Sequence, residues 1–414
     1  MKVAYFSPLP PERTGISEYS ELLLPALGKR LEVALVARGG TAPRDADVCL
    51  YHVGNNPDAH GWIVEALRKR AGVVVLHDFV LHHLVAGLTL GRRDGEGYLG
   101  AMQREAGVPG RLLAHGVLDG VVPPLWEVRP DDFPLAGEVL EHAAKPGGGL
   151  IVHSRYVAER ALAAGYDGRL WRIPHPAWPV PRDLVAQSHK VVGPGEPLVG
   201  CFGNLNASKR IPQLLEAFAR LRADRPGARL LLVGAEAPGF DLAGRLEGLR
   251  LAGVVREDYV DEARLWSLMA ACDVCVSLRS PTMGETSGSA IRALVLGRPL
   301  VVSDVGAFRE LPDEVALKVP VDEHEAETLA GALELLAGND VAREAMSAAA
   351  LEYVARVHDL DRVAEAYAAA LEVAAGGEVV RDTVLGEVAN AAAAVGIDDP
   401  TELAQRLNEV RLGG

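Results

Sequence analysis

The feature of this sequence that most constrains its fold is a repeated alternation of short, β-rich apolar runs with segments of helical periodicity. In the first half the runs VAYFS, LEVALVA, DVCLYHV and GVVVLHD alternate with helical segments such as YSELLLPALGKR and GWIVEALRKR. The second half repeats the rhythm with LVGCFGN, ARLLLVG, DVCVSL and PLVVSD. Strands and helices that alternate in this way predict βαβ units, and therefore parallel sheets.

The two series are separated by PAWPVPRDLVAQSHKVVGPGEP, which is rich in proline and glycine and lacks clear periodicity. A chain of 414 residues is also longer than the roughly 250 to 300 residues at which single cores stop growing. We therefore predict an α/β protein of two Rossmann-like domains that face each other across a cleft. The predicted domains are 1–185, with a mostly helical insertion at about 79–149, and 195–355, followed by C-terminal helices over 356–414.

The C-terminal tail and the overall charge bear on partners. The tail from Gly376 is helical by pattern, and we expect it either to pack back on the first domain or to form an oligomer contact, so a homo-oligomer stays open. A formal net charge of −14 disfavours nucleic acid and anionic membranes as general partners. No signal peptide or run of about 18 apolar residues is visible, so we expect a cytoplasmic protein without an integral membrane segment.

Cysteine and histidine spacing gives no metal signature. The four cysteines, Cys49, Cys201, Cys272 and Cys275, lie in or beside apolar runs, and the C-x-x-C pair enters the strand of AACDVCVSL. We interpret them as core residues and predict no disulfides. The histidines lack the helical spacing of H-E-x-x-H, so we predict no metal site.

The most specific signal is a series of separated motifs in the second half. In chain order these are VGCFGN with a Lys-Arg pair just beyond it, LLLVG, AACDV, SPTMGETSGS and LGRPLVVSD. Over residues 200–312 this series resembles the donor-binding domain of retaining glycosyltransferase family 4, and the first half resembles the acceptor domain of that family more loosely. The resemblance implies the GT-B fold and a metal-independent sugar transfer, with retention, to a hydroxyl acceptor that the sequence does not identify. It implies no cofactor, and the co-substrate is a nucleotide-diphosphate sugar.

The glycine-rich end of the first strand in this half is the predicted diphosphate site. Gly203 and Asn204 offer backbone amides, and Lys209 and Arg210 offer cations that neutralise phosphate. The alternative, in which the two cations are merely solvated at a helix start, is disfavoured because helix N-termini prefer anions. The family usually has an arginine where Asn204 stands, so Arg210 or Arg279 is expected to replace it.

The loop SPTMGETSGS is the second predicted donor contact. Its small residues let backbone amides approach the phosphates and the sugar, while its glutamate accepts hydrogen bonds from sugar or ribose hydroxyls. The alternative is an ordinary helix N-cap formed by the threonine or a serine, and both roles are compatible. The loop residues that we expect to contact the donor are Gly284, Glu285, Thr286, Ser287 and Gly288.

Recognition of the nucleoside departs from the family pattern of two glutamates eight positions apart. The second glutamate falls on Arg292, so the ribose is held by another acid, such as Glu310 or Glu236, or the nucleotide is held differently. Gly234 and Tyr259 lie at neighbouring strand ends and are candidates for contact with the base. The ring of Tyr259 either stacks on the base or is a buried structural side chain.

In the first half, candidates follow the first and fourth strands. Gly15 lies at a βα turn, with Ser17 as the expected N-cap, and its backbone faces a phosphate or the sugar unless the glycine is purely steric. His77 follows the strand VVVL, where the resemblance implies a histidine that contacts the donor sugar. Asp78 orients His77, contacts the acceptor, or caps the next helix.

The predicted mechanism needs no protein nucleophile. The diphosphate leaves while cations and loop amides stabilise its charge, and its own oxygen takes the proton of the acceptor hydroxyl. The residues assigned to catalysis are His77, Asp78, Lys209 and Glu285. The alternative is a catalytically silent nucleotide-binding or scaffold protein that keeps the fold without the second glutamate, and nucleotide binding and turnover assays distinguish the two.

Overall fold

The fold was analysed in a computed structural model, which describes residues 1–12, 14–186, 197–237 and 239–376. The chain forms two compact units. Among the described residues, the first joins Met1–Pro176 to residues 360–376, and the second lies within Ala177–Asp359. Most of the tail interpreted as helical, from residue 377, lies outside the described residues.

The first unit is built on a six-stranded parallel sheet with strand order β2-β1-β3-β4-β5-β6. Its strands are β1 (Lys2–Phe6), β2 (Glu32–Leu35), β3 (Val48–Val53), β4 (Val73–Leu76), β5 (Gly149–Val152) and β6 (Leu170–Arg172). Its helices are α1 (Gly15–Leu27), α2 (Pro57–Lys69), α3 (His82–Thr89), α4 (Gly95–Leu118), α5 (Leu125–Val128), α6 (Gly137–Ala143) and α7 (Arg155–Ala163). Strands β3 and β4 are buried at every position, as expected for central parallel strands covered on both faces.

The second unit has the same kind of sheet, with strand order β12-β11-β10-β7-β8-β9. Its strands are β7 (Leu198–Phe202), β8 (Arg229–Val233), β9 (Val254–Glu257), β10 (Val274–Ser277), β11 (Leu300–Ser303) and β12 (Ala316–Val319). Its helices are α8 (Arg182–Ala186), α9 (Ile211–Asp224), α10 (Leu242–Gly248), α11 (Glu262–Ala270), α12 (Gly288–Val295), α13 (Glu325–Gly338) and α14 (Asp340–Val357). Two parallel-sheet, Rossmann-like domains are thus confirmed.

Two local features of the second unit are not evident from the sequence pattern. The segments LAGVV and REDYV together contain a single strand, β9, because the chain leaves the sheet before Tyr259. Strand β12, whose sequence ALKV is short and half charged, is not identified by pattern, yet it pairs with β11 over four residues.

The chain returns to the first unit after α14. Residues 360–376 form a helix, here α15, whose Tyr367 is buried in the same core as Tyr19 of α1. The two phenol oxygens are hydrogen-bonded at 2.7 Å. Helix α15 therefore contributes to the core of the first sheet, although the whole second unit lies between the two in the sequence.

The strand orders place candidate loops at one edge of each sheet. In the first sheet β2 lies on one side of β1, and β3 and the later strands lie on the other side. The loops after β1 and β3 therefore flank a topological switch point. In the second sheet the corresponding point lies between β7 and β10. Ligands of open parallel sheets bind at such points, at the carboxyl ends of the strands. Among the helices of the described residues, none is long and apolar enough to cross a bilayer.

Candidate functional site

The switch point of the second sheet is occupied by a lysine that folds back over the end of β7. The Nζ of Lys209 donates to the backbone carbonyl of Phe202 at 2.5 Å. Gly203, between them, has φ of +96°, and a Cβ there would lie 2.2 Å from the lysine Nζ. The glycine is therefore required both by the backbone conformation and by the lysine packed against it.

A second glycine brings the neighbouring strand end close. Gly234 follows β8 with φ of +143°, and a Cβ there would lie 2.3 Å from the carbonyl oxygen of Gly203. Asn204, the next residue along the chain, is exposed at this edge. The two strand-end glycines thus lie side by side, and their amides are already hydrogen-bonded, that of Gly203 to the carbonyl of Val233 and that of Gly234 to the carbonyl of Glu257. The ligand contacts predicted for them stay predictions.

An arginine from the loop after β10 joins the lysine. The Nη1 of Arg279 lies 3.4 Å from the hydroxyl oxygen of Ser208, and the amide of Ser280 donates to the carbonyl of Ser208 at 2.8 Å. Burial, and then the charge of Arg279, lower the pKa of Lys209 from 10.5 to about 8. The loops on the two sides of the switch point therefore bring two cations together.

The glutamate of the SPTMGETSGS loop holds that arginine and braces its own loop. One carboxylate oxygen of Glu285 lies 2.7 Å from the Nε of Arg279. The other oxygen accepts from the amide of Met283 at 2.7 Å and from the hydroxyl of Thr282 at 3.1 Å. Lys209, Arg279 and Glu285 together carry one net positive charge, which suits an anionic ligand.

The structure gives Arg210 a partner that the sequence does not predict. Its φ of +55° places it between the 3₁₀ turn Ala207–Lys209 and the start of α9. Its guanidinium makes a two-pronged ion pair with Glu325 of α13, whose side chain is 1% exposed. Arg210 as a diphosphate ligand stays a prediction, and it would have to share its guanidinium with this buried carboxylate.

The start of α12 confirms the N-cap interpretation of the small-residue loop. The hydroxyl of Ser287 accepts from the amide of Ala290 at 3.3 Å, and Gly288 is the first helical residue. Gly284 has φ of +88°, and its amide donates to the hydroxyl of Thr282 at 3.1 Å. Thr286 lies in the irregular chain just before the cap. The donor contacts predicted for this loop stay predictions.

The arginine at the position of the family's second glutamate is a packed residue. Arg292 is 5% exposed, and its guanidinium lies 3.6 Å from the ring centre of Trp178. The ring of Trp266 is 5.8 Å away, and a carboxylate oxygen of Glu262 is 4.0 Å away. This cation–π contact accounts for the arginine structurally, and its role in nucleotide binding stays a prediction. Tyr259 is 55% exposed, so the alternative of a buried structural tyrosine is wrong.

In the first unit the predicted His77 lies at the carboxyl end of β4, among other histidines. Its Nε2 is hydrogen-bonded to the Nδ1 of His52 in β3 at 2.9 Å. The ring of Tyr19 meets it edge-on, with ring centres 4.8 Å apart. Burial, followed by the neighbouring His153 and His52, lowers the pKa of His77 well below its usual value. The imidazole is therefore neutral near pH 7.

The contacts of Asp78, the residue after His77, decide one of the roles left open for it. The carboxylate of Asp78 accepts from the amide of Asn55 at 2.8 Å. The N-cap residue of α3 is Leu81, and the side chain that accepts from the first-turn amide of Leu84, at 3.2 Å, is that of Asn55. The alternative that Asp78 caps the next helix is therefore wrong. It braces the loop after β3, and its catalytic role stays a prediction.

Gly15, which was predicted to lie in the turn after β1, is the first residue of α1. The hydroxyl of Thr14 accepts from the amide of Ser17 at 3.0 Å, so Thr14 is the N-cap and the expectation that Ser17 caps the helix is wrong. Helix α1 therefore begins three residues earlier than the sequence suggests. A Cβ at Gly15 would have no atom within 4 Å, so the steric alternative for this glycine finds no support in the described residues.

With this geometry in place, comparison with known proteins adds a family. Residues 196–339, which include the lysine, the arginine and the braced loop, match the model of the family "Glycosyl transferases group 1". This segment is thus similar to glycosyltransferase group 1 domains. The expected enzyme class, a glycosyltransferase, is thereby confirmed, while the narrower family and the stereochemistry stay predictions. No curated protein sequence matches the chain.

Several solved structures share the fold of most of this chain. Sucrose-phosphate synthase from Thermosynechococcus elongatus is 19% identical, with a TM-score of 0.60 over 88% of this chain and 96% of its own. HepE from Anabaena, solved with UDP-glucose, is 16% identical, with a TM-score of 0.60 over 90% of this chain and 99% of its own. WaaG, a glycosyltransferase involved in lipopolysaccharide biosynthesis, is 15% identical, with a TM-score of 0.56 over 90% and 99%. At these identities the likeness confirms the GT-B fold alone.

Three residues of the glycosyltransferase that shape these sites were missed in the sequence. His52 lies within the strand DVCLYHV, Glu325 starts a helix far along the chain, and Trp178 lies in the proline-rich stretch. The only signal for His52 was the histidine-rich end of its strand. Among the described residues there is no cluster of three or more histidine, cysteine, aspartate or glutamate side chains arranged to hold a metal.

Proposed function

We propose that this chain transfers a sugar from a nucleotide-diphosphate sugar to a hydroxyl acceptor, and that its second unit binds the diphosphate. The observation that carries the proposal is the partly buried ammonium of Lys209, placed beside Arg279 at the switch point of a parallel sheet. Cations that burial brings together without enough carboxylate to balance them favour a bound anion. A diphosphate is the anion that the glycosyltransferase domain match indicates.

The chemistry follows from the charge that develops on the leaving group. As the glycosidic C–O bond to the diphosphate breaks, its oxygens gain charge, and Lys209, Arg279 and nearby amides stabilise that charge. The acceptor hydroxyl forms the new bond on the same face of the sugar, and its proton passes to the leaving phosphate oxygen. Retention and metal independence are part of the proposal, with the two cations supplying the neutralisation that a divalent metal supplies elsewhere.

The braced loop supports a pre-organised site. Glu285 fixes Arg279 through an ion pair and fixes its own loop through the amide of Met283. An arginine held in this way loses little side-chain entropy when a phosphate arrives, so more of the interaction energy appears as affinity. We therefore assign Glu285 first to holding the arginine, with contact to sugar hydroxyls as its second role.

A catalytically silent nucleotide-binding protein is the second candidate, and one observation favours it. The family's second glutamate is replaced by Arg292, which packs on Trp178. A carboxylate that accepts ribose hydroxyls is therefore missing at that position, and the nucleoside has to be held by other groups. This weakens nucleotide selectivity more directly than it affects the leaving-group chemistry.

Calorimetry and a turnover assay test the proposal in sequence. The full chain is titrated with UDP, ADP and GDP, and then incubated with a panel of nucleotide sugars, with and without EDTA. UDP-sugars come first because HepE, which shares the fold, was solved with UDP-glucose. Binding of a nucleoside diphosphate with EDTA-resistant hydrolysis or transfer is expected. Binding without turnover of any sugar would select the silent protein, and loss of turnover with EDTA would refute metal independence. Failure to bind any nucleoside diphosphate would refute both candidates.

A further inference from the structure

The histidine in β3 is placed to control the one that follows β4. His52 is completely buried, and its Nδ1 lies 2.9 Å from the Nε2 of His77. The backbone carbonyl of His52 also accepts from the Nδ1 of His60 at 3.1 Å, which anchors this part of the strand. His77 keeps 8% of its surface exposed. The buried ring thus contacts the one that a ligand can reach.

Only one proton can lie between the two rings. Burial lowers the pKa of His52 and of His77 well below the usual value, so both imidazoles are neutral near pH 7 and each carries one N–H. Either the Nδ1–H of His52 donates to His77, or the Nε2–H of His77 donates to His52. The two arrangements give His77 opposite tautomers.

The far side of His52 distinguishes the two arrangements. Its Nε2 is buried and has no hydrogen-bond partner among the described residues. If His77 donates, the proton of His52 must lie on this Nε2, as a buried N–H without an acceptor. Such a group carries the full desolvation cost of an unmade hydrogen bond, and among buried backbone groups orphaned N–H donors are likewise rarer than unsatisfied acceptors. If His52 donates, only an unused lone pair remains there.

We propose that His52 donates from Nδ1 to Nε2 of His77 and thereby holds His77 as its Nδ1–H tautomer. His77 then faces its ligand with a hydrogen-bond donor and not with a basic lone pair. His52 is a positioning residue, since it acts through His77 and is itself buried.

The inference deepens the proposed function and rests on it only for the identity of the ligand. A donor at His77 suits a sugar hydroxyl or phosphate oxygen, whereas a general base would need a bare nitrogen. It agrees with a mechanism in which the leaving phosphate, and no histidine, takes the proton of the acceptor.

The tautomer is measurable without any substrate. Long-range ¹H–¹⁵N spectra of the full chain, labelled with ¹⁵N-histidine, report which ring nitrogen carries hydrogen, and His77→Asn identifies the His77 signals. The expected spectrum shows hydrogen on Nδ1 of His77 and on Nδ1 of His52. Free histidine favours Nε2–H, so an Nδ1–H pattern is a diagnostic result. Hydrogen on Nε2 of His77 in the unaltered protein would overturn the proposal.

Two variants test whether His52 is the cause. His52→Phe keeps an aromatic ring but removes the donor, so His77 should move toward Nε2–H. His52→Asn has an amide that can donate in place of Nδ1–H, so the Nδ1–H tautomer of His77 should be restored. An unchanged tautomer in a folded His52→Phe protein would overturn the proposal.

A matched control separates packing from hydrogen bonding. Tyr19→Phe keeps the ring that packs edge-on against His77 and removes only the hydroxyl bonded to Tyr367. The tautomer should stay as it is, and a change as large as that in His52→Phe would overturn the proposal by making it an effect of packing.

An activity measurement then connects the tautomer to the proposed function. Loss of one hydrogen bond to the ligand is expected to lower kcat/KM about tenfold in His52→Phe, with recovery in His52→Asn. If the chain binds no nucleotide sugar, the proposed function fails, while the spectra still decide the tautomer. If transfer occurs but His77 carries hydrogen on Nε2, the positioning role fails and the function stands.

Discussion

The two sheets of this chain are both six-stranded and parallel, but they differ in strand order and in the chemistry at their carboxyl edges. Each has six parallel strands with a switch point beside its first strand. In the first unit that edge carries buried, neutral rings, including His52 and His77. In the second unit it carries Lys209 and Arg279, braced by Glu285.

The comparison separates what the fold decides from what the side chains decide. The strand orders differ, but each sheet has a switch point beside its first strand, and open parallel sheets bind ligands at such points, at the carboxyl ends of the strands. Neutral imidazoles recognise hydroxyl groups without the cost of a buried charge, whereas cations with free amides recognise phosphate. The same kind of sheet, used twice in one chain, therefore presents two edges of different chemistry.

The largest expected effect that tests this contrast is a loss of stability of the first sheet in acid. His52, His60, His77 and His82 all have lowered pKa values, about 4 for His60 and His82. As the pH falls below 6.5, these histidines become protonated in the unfolded chain, whereas in the folded protein they stay neutral. Each group then removes up to about 1.4 kcal/mol of stability per pH unit, so the four together remove up to about 5 kcal/mol for each pH unit. This contribution is lost between pH 6.5 and about 4, and above pH 6.5 the stability is retained.

Hydrogen exchange resolves the two sheets in the same experiment. After correction for intrinsic exchange rates, amides of β3 and β4 should lose protection between pH 6.5 and 5, while those of β7 and β8 lose much less. Equal losses in both sheets would contradict the assignment of the acid-sensitive groups to the first unit.

The next largest effect is on nucleotide affinity. Lys209→Met should weaken binding of a nucleoside diphosphate about a hundredfold, because it removes a charge-assisted hydrogen bond of about 2 to 3 kcal/mol. Lys318→Met is the matched control in the same unit, since Lys318 lies on β12 and its ammonium pairs with the exposed carboxylate of Asp313. Titration calorimetry compares the two, and an equal loss in both would remove Lys209 from the site.

The pH dependence sharpens the same comparison. Because the pKa of Lys209 is about 8 in the free protein, the ammonium loses its proton above that pH, and a bound diphosphate opposes the loss. Affinity should therefore fall by up to tenfold per pH unit above about pH 8. In Lys209→Met it should change little over the same range, and a parallel fall would assign the dependence to another group.

The smallest effects concern the two turn glycines. Gly203→Ala should lower the free energy of unfolding by about 1 to 3 kcal/mol, because its φ of +96° is strained for alanine and its Cβ would lie 2.2 Å from the Lys209 Nζ. Gly15→Ala should change it by less than about 1 kcal/mol, since nothing lies within 4 Å of that Cβ. Urea denaturation measures both. A Gly15→Ala loss as large as that of Gly203→Ala would show that the first turn is constrained too.

Most of the architecture was readable in the sequence, because hydrophobic periodicity and turn residues are local properties. The two parallel sheets, the placement of Gly203 and Lys209 together at the end of β7, and the N-cap at Ser287 all followed from short stretches of sequence. Such local patterns say less about β3, because every position of this strand is buried and its sequence does not alternate between apolar and polar residues. A histidine in such a strand gives no sign of the face on which it lies, so His52 was missed.

What the sequence by itself determined is the kind of elements, their order, and the glycine and cation at the end of β7, since these depend on neighbours along the chain. Only the tertiary structure decided the partners: Arg210 with Glu325, 115 positions away, Arg292 on Trp178, and Tyr19 against Tyr367, 348 positions away. The physical reason is that an ion pair or ring contact depends on how separate helices pack. That packing is set by the whole core and not by any short stretch of residues.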